Sequence, residues 1–386
     1  LKVLLLKHFK LMSSKIVCMD SLFADGFSSD VARFGLLLPL LYGSSGIIGF
    51  SSVFSRVLLV VPAGLAALTL RLFFSVRRLP SWAENQHIAL QNQLKGAGPA
   101  DVEASVAHAE DAVLGLKQSW RKGVVWADPE KKACTDWVVV FLHGWSASRH
   151  EVSPLCEQLA KSMGANCYFG RFPGHGVEMM GNGREDMSYK SFVRAGLEAV
   201  AIGRRLGDRV LLVGTSTGAA VNAWLCTQAW AVEGVHGSII MSTNVCTKPV
   251  NIVRAVGWIP LFRELLLILI RGFTSRIVPR NALHAERAQL AYPTRFIPLI
   301  FDICKALAFT DPTSCTVPTL AFHNPNDPRV SYQAAAQFVA ALPHARMVQV
   351  APLESEHQHI ITGDASAPST LPTILREITS WLKQLS

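Results

Sequence analysis

The sequence has no C-x-x-C pair, no internal repeat and no basic helix interleaved with aromatics. Its eight cysteines are scattered, and none stands at zinc-finger spacing with histidine, which excludes the common structural zinc modules. Several lie in apolar surroundings, where a buried free thiol is the default state. A bridge such as Cys304 with Cys315 stays open, and the redox compartment stays undecided. Without repeats, solenoid and propeller arrays are excluded. The formal net charge is +9, yet no RNA- or DNA-binding signature accompanies it, so nucleic acid is not expected as a partner. No histidine, cysteine and carboxylate cluster implies a metal, and no cofactor motif is present.

What the chain has is apolar bulk. Half of its 386 residues are hydrophobic, and the mean hydropathy is +0.28. The length allows one large domain with an insertion, or two domains. Residues 1–80 carry nine Lys and Arg against three Asp, so +6 of the charge lies there. That charge flanks apolar runs, a pattern that suits a membrane surface better than nucleic acid. Residues 36–50 are apolar but broken by Pro39, Gly43, Gly46 and Gly49. Residues 57–74 form a better span, with Arg71 as the one charge and Pro62 inside. Eighteen residues are just enough to cross a bilayer, and Arg71 could snorkel to its interface. The expectation is an N-terminal membrane anchor within residues 1–80, hence a membrane-associated protein. The alternative is a pair of buried helices. A cleaved signal peptide fits less well, because the charged region is far upstream of the span. Basic residues on both sides give no orientation.

Residues 81–135 read as a helical linker and a first strand. Asp101 is a plausible helix cap, and Val102, Val106, Ala109, Val113 and Leu116 recur at helical spacing. Residues 123–126 read as a strand. Residues 136–386 then alternate. Trp137-Val-Val-Val-Phe-Leu142 is a buried strand, and a helix carries Val152, Leu155, Leu159 and Met163 on one face. Further strands are expected at 166–169, 210–213, 237–241, 317–322 and 347–350. Such alternation predicts a mostly parallel sheet with helices on both faces. It stops between 246 and 315, which reads as a helical cap over the carboxyl edge of the sheet. An amphipathic helix with Ile374, Leu375, Ile378, Trp381 and Leu382 closes the chain.

The stretch that gives these elements a purpose is Gly214-Thr215-Ser216-Thr217-Gly218, between a buried strand and a helix. Alone, G-x-S-x-G turns up by chance in roughly one chain in eight of this length. In a strand–turn–helix setting it is the turn that holds a serine in strained backbone with its hydroxyl above the sheet. Such a serine needs a base, and the base an orienting acid. In parallel sheets these sit after the carboxyl ends of strands. Asp327 follows strand 317–322 in Asn324-Pro325-Asn326-Asp327-Pro328, where a turn-forming role is the competing reading. Asp311 is a weaker rival, because it precedes the strand. After strand 347–350, His357 and His359 compete. His359 leads into Ile360-Ile361, which would fix its backbone against the core, and is the stronger candidate. His143 and His175 read as loop-packing residues.

The chain order Ser216, Asp327, His359 is that of α/β-hydrolases. Leu142-His143-Gly144-Trp145, Pro173-Gly174-His175-Gly176, Gly214 to Gly218, Asn326-Asp327 with Val330, and His359-Ile360-Ile361 together resemble that superfamily, in particular its monoglyceride-lipase-like and carboxylesterase-like serine hydrolases. The resemblance covers residues 137 to about 385. It implies an α/β-hydrolase fold with a nucleophile at Ser216, an acid at Asp327 and a base at His359. It also implies oxyanion amides at Trp145 and Thr217, and hydrolysis of small-molecule carboxylic esters without a cofactor. The apolar insertion and the N-terminal anchor, by composition, point to an acyl-chain or lipid ester. Threonines on both sides of Ser216 depart from the commoner motif. Thioester or amide hydrolysis uses the same machinery, and a hydrolase-fold binding protein with little turnover is the alternative of another class.

Overall fold

The apolar runs of the sequence become the centre of a twisted sheet. The computed structural model describes residues 78–178, 180, 185–250 and 260–385, all within one unit that spans residues 65–386. A second unit, residues 1–64, lies outside the described residues, as do both apolar runs at 36–50 and 57–74. Among the described residues no helix is long and apolar enough to cross a membrane.

Two helices, α1 (Leu79–Gln93) and α2 (Pro99–Asp111), precede the short strand β1 (Gly123–Val125). Strand β2 (Thr135–Leu142) leads through α3 (Leu155–Met163) to β3 (Asn166–Phe169). Helix α4 (Tyr189–Leu206) leads to β4 (Gly207–Thr215), and α5 (Thr217–Cys226) leads to β5 (Val235–Met241). The sheet order is β1-β3-β2-β4-β5, continued by β8 (Thr319–His323) and β9 (Ala345–Gln349). Within this sheet, among the described residues, β1 pairs antiparallel and every other strand pairing is parallel.

The period of two in a strand sends alternate side chains to opposite faces. Val138, Val140 and Leu142 of β2, with Val210 and Leu212 of β4, therefore join one core. Val139 and Phe141, with Leu211 and Val213, join the other. That is why these strands are continuously apolar rather than alternating. Phe192, Val200, Val221 and Trp224 of α4 and α5 cover the first face. Leu155 and Leu159 of α3 cover the second, with Ile374, Ile378 and Trp381 of the final helix (Leu371–Leu382). Burying each such side chain stabilises the fold by roughly 1.5–3 kcal/mol.

Three expectations need correction. Helix α1 begins at Leu79, before the expected boundary at 81, and is more than a linker. Leu79, Ala83 and Leu90 are buried in the first core. Their spacing of one and then two turns is hidden in a sequence rich in Gln, Asn and His. In α2 the cap is Gly98, and Asp101 instead accepts the Gly98 N–H at 3.0 Å from the first turn. The cap is not purely helical. It contains α6 (Pro260–Ile270), α7 (Ala282–Arg287) and α8 (Ile297–Ala308), but also an antiparallel ribbon of β6 (Thr274–Arg276) and β7 (Ala291–Pro293). Three-residue strands are too short to show an alternating pattern. No disulfide joins any of the seven cysteines among the described residues, so Cys304 and Cys315 are not bridged.

Candidate active site

Ser216 sits between β4 and α5 at φ +52° and ψ −110°, a left-handed conformation that non-glycine residues rarely adopt. The surroundings impose it. The Ser216 N–H donates to Met241 O at 2.9 Å, while its carbonyl accepts from Ala220 at 3.0 Å and Asn244 at 3.2 Å. Gly218 allows the start of α5 to press against the end of β2: a Cβ there would stand 2.2 Å from Leu142 O.

His359 Nε2 lies 2.9 Å from Ser216 Oγ, and its Nδ1 lies 2.7 Å from Asp327 Oδ2. The set is self-consistent with a proton on Nδ1. That N–H donates to the carboxylate, and the free lone pair of Nε2 accepts the serine hydroxyl. The other Asp327 oxygen accepts the N–H groups of Arg329 and Val330 at 2.7 and 3.0 Å. Asp327 has no exposed surface. Burial alone would raise its pKa. The His359 hydrogen bond and charge, with the two backbone donors, outweigh it and hold the carboxyl below its ordinary value. Ser242 Oγ donates to His359 O at 2.5 Å and fixes the loop from below. Asp311, the weaker rival, caps a turn instead and accepts the Thr313 N–H at 2.9 Å.

Two backbone amides are candidate donors: one follows Ser216 in the chain, and the other follows Gly144, where an added Cβ would stand 3.2 Å from Ser216 Cβ. Thr217 opens α5, where an N–H has no intrahelical partner. Trp145 lies in the loop after β2, and its neighbours on both sides are occupied. Gly144 N–H donates to Glu151 Oε2 at 2.7 Å, and Ser146 N–H donates to His175 Nε2 at 3.1 Å. Among the described residues neither Trp145 N–H nor Thr217 N–H makes a hydrogen bond. Such an arrangement can take a proton from a hydroxyl and accept negative charge on an oxygen beside it.

His143 and His175 hold loops, as their sequence reading has it. His143 Nε2 accepts the Phe172 N–H at 3.1 Å, and burial pushes its pKa down to about 4. Burial also holds His175 well below its ordinary value. The cap is pinned to the same region by Gln289. Its N–H donates to Ser146 O at 2.7 Å, and its side chain bridges Gly176 N and Val177 O. Tyr292 of the ribbon meets the Trp145 ring edge-on at 5.5 Å. A separate cavity of about 280 Å³, lined by Tyr189, Arg263, Leu267 and Arg295 among others, includes none of Ser216, Asp327 or His359.

Two roles escaped the sequence reading. Glu151 is buried behind the Trp145 loop, in a stretch where only the apolar face of α3 gave a signal. His357 is not the solvated side chain that its polar flanks suggest. Its Nδ1 accepts the N–H groups of His359 and Ile360 at 3.1 and 2.9 Å. Neither role leaves a spacing signature, because each partner is a backbone amide. No group of histidines, cysteines and carboxylates among the described residues could hold a metal ion.

No curated protein matches the sequence. Among solved structures, one of the metagenome-derived lipolytic enzymes LipS and LipT is similar at 14% identity with a TM-score of 0.54, covering 70% of this chain and 99% of that one. The monoacylglycerol lipase of Paleococcus ferrophilus is similar at 15% identity with a TM-score of 0.50, covering 69% and 98%. At these identities the likeness concerns the fold. The profile described as the alpha/beta hydrolase family matches residues 139–364, more than half of the chain. The protein therefore belongs to the alpha/beta hydrolase family.

Proposed function

We propose that this protein is a serine hydrolase that cleaves carboxylic esters through an acyl-enzyme on Ser216. The observation that carries the reading is the continuous contact from Asp327 to His359 to Ser216, at 2.7 and 2.9 Å, on a serine with positive φ. Ser216 Oγ attacks the ester carbonyl carbon while its proton passes to His359 Nε2. Asp327 holds the tautomer and stabilises the imidazolium. The N–H groups of Trp145 and Thr217 take the oxyanion, each worth roughly 3 kcal/mol in the transition state. His359 then gives its proton to the departing alkoxide oxygen, and the carbon–oxygen bond breaks. Water, deprotonated by the same imidazole, releases the acid and restores the serine.

The substrate we propose is an ester with an apolar acyl chain, met at a membrane. Support comes from the cap, where Leu265, Ile268, Leu269 and Phe273 are all more than half exposed. Exposed Arg271 and Arg276 stand beside them in the chain. Two of the similar solved structures are themselves a lipolytic enzyme and a monoacylglycerol lipase. Residues 57–74 supply the anchor in this reading. A chain lacking residues 1–77 should leave the membrane pellet, and unchanged pelleting would reject the anchor.

A fluorophosphonate probe tests the chemistry. It should label the intact protein on the peptide that carries Ser216, and Ser216→Ala should abolish labelling. Folded protein that resists the probe would instead favour a hydrolase-fold binding protein. Thioesters and amides of matched acyl groups, assayed beside the esters, separate the remaining alternatives.

A further inference from the structure

Glu151 is a carboxylic acid with 8% exposure, placed behind the loop that follows β2. Its Oε2 accepts the Gly144 N–H at 2.7 Å. A Cβ added to Gly144 would meet Glu151 Oε1 at 2.8 Å and Ser216 Cβ at 3.2 Å. The carboxyl and the serine thus border the same small space on one side of Gly144. With His175 engaging Ser146 on the far side, Glu151 leaves the Trp145 N–H as the free donor of three successive amides.

We propose that Glu151 is a positioning residue of the hydrolytic site, whose carboxyl fixes the loop that aims the Trp145 amide at the oxyanion. This rests on the serine-hydrolase reading and adds a requirement to it: the carboxyl has to be uncharged. A carboxylate in that space would stand beside the developing oxyanion and oppose it, because like charges in a dry site repel strongly. Burial raises the Glu151 pKa to about 8, against the smaller opposing effect of the Gly144 N–H. The titratable groups on the elements around it are His143, Arg149 and His150 of its own loop, His175, His359 and Asp364 of the facing loops, and Arg287 of the cap. None of them contributes to that shift. The acid therefore stays neutral at pH 7 and ionises on the alkaline side.

The test is the pH dependence of kcat/KM between pH 6 and 10, with a short p-nitrophenyl ester, for the wild type, Glu151→Gln and Glu151→Ala. The wild type should lose activity with a midpoint near pH 8. Glu151→Ala should lower kcat about 10- to 100-fold with little change in KM, because Gly144 loses its acceptor and the loop is freed. Glu151→Gln should recover most of that loss and show no fall near pH 8, since an amide keeps the acceptor and cannot ionise. A merely structural role would not remove the alkaline limb. An alkaline fall that persists in Glu151→Gln, or a wild-type kcat in Glu151→Ala, overturns the proposal alone. A wild type with neither turnover nor fluorophosphonate labelling overturns it together with the reading beneath it. If Glu151→Ala does not fold, the profile of the near-isosteric Gln variant decides.

Discussion

The ring of His357 accepts the backbone N–H of His359 through Nδ1 at 3.1 Å. The two imidazoles that compete in the sequence thus have different tasks: one faces Ser216, and the other holds its backbone. Burial, and then the charges of His359, Arg280, His284 and Arg329, push the His357 pKa down to about 3. The ring stays neutral, as an acceptor of two N–H groups must. Replacing it with alanine strips both donors of their acceptor, at a cost of about 2 kcal/mol. His357→Ala should therefore melt about 2–3 °C lower and keep measurable turnover. His359→Ala should lose about ten-thousand-fold in kcat. Ester hydrolysis by both variants checks this, and the reverse pattern would exchange their roles.

The same shift has a consequence for acid stability. A histidine whose folded pKa lies below its ordinary 6.5 favours the folded state above that pH. The contribution is lost as the pH falls from 6.5 towards 3, where the unfolded chain binds the proton first. In chemical denaturation, His357→Gln should lose less stability than the wild type over that window. Parallel curves would refute the neutral ring.

Glu151 gives the opposite sign. Its folded pKa of about 8 lies above the ordinary 4.5, so the wild type loses stability as the pH rises between these values. The limiting slope is about 1.4 kcal/mol per pH unit. Glu151→Gln, which has no such titration, should gain on the wild type steadily from pH 5 to 8. Denaturant midpoints at pH 5, 6.5 and 8 measure the gap, and a gap independent of pH would show that the buried carboxyl is ionised.

Arg171 ties the helical prelude to the site. Its guanidinium pairs with Glu110 of α2 at 2.8 and 2.9 Å and with Glu185 at 3.0 Å, and it donates to His175 O at 3.0 Å. Its side chain and that of Glu110 are 3% and 2% exposed. Removing one partner of a buried pair leaves an uncompensated charge and costs about 3–5 kcal/mol. Arg171→Met should therefore lower the denaturation midpoint sharply. It should also slow hydrolysis, because the backbone that carries the His175 ring against the Ser146 N–H is loosened. A variant as stable as the wild type would contradict this.

Much of the site was legible because its signals are chemical and positional together. Ser216 stands in a glycine-bounded turn after an apolar strand, and Asp327 and His359 each follow a later strand. The sheet was legible from continuous apolar runs such as residues 137–142. The parts that stayed hidden share a physical cause. Helix α1 buries one residue per turn among polar neighbours, and the cap ribbon pairs only three residues a side. Glu151 and His357 act on backbone amides, which every residue carries, so no particular side chain spacing betrays them.

The most direct test of the account is to catch the acyl-enzyme. Protein mixed with an excess of p-nitrophenyl butyrate, quenched in acid within the first turnover and digested, should carry one butyryl group on the peptide containing Ser216. The adduct should be absent from Ser216→Ala. Turnover that proceeds with no acyl group on that serine, or at an undiminished rate in Ser216→Ala, would contradict covalent catalysis at this site.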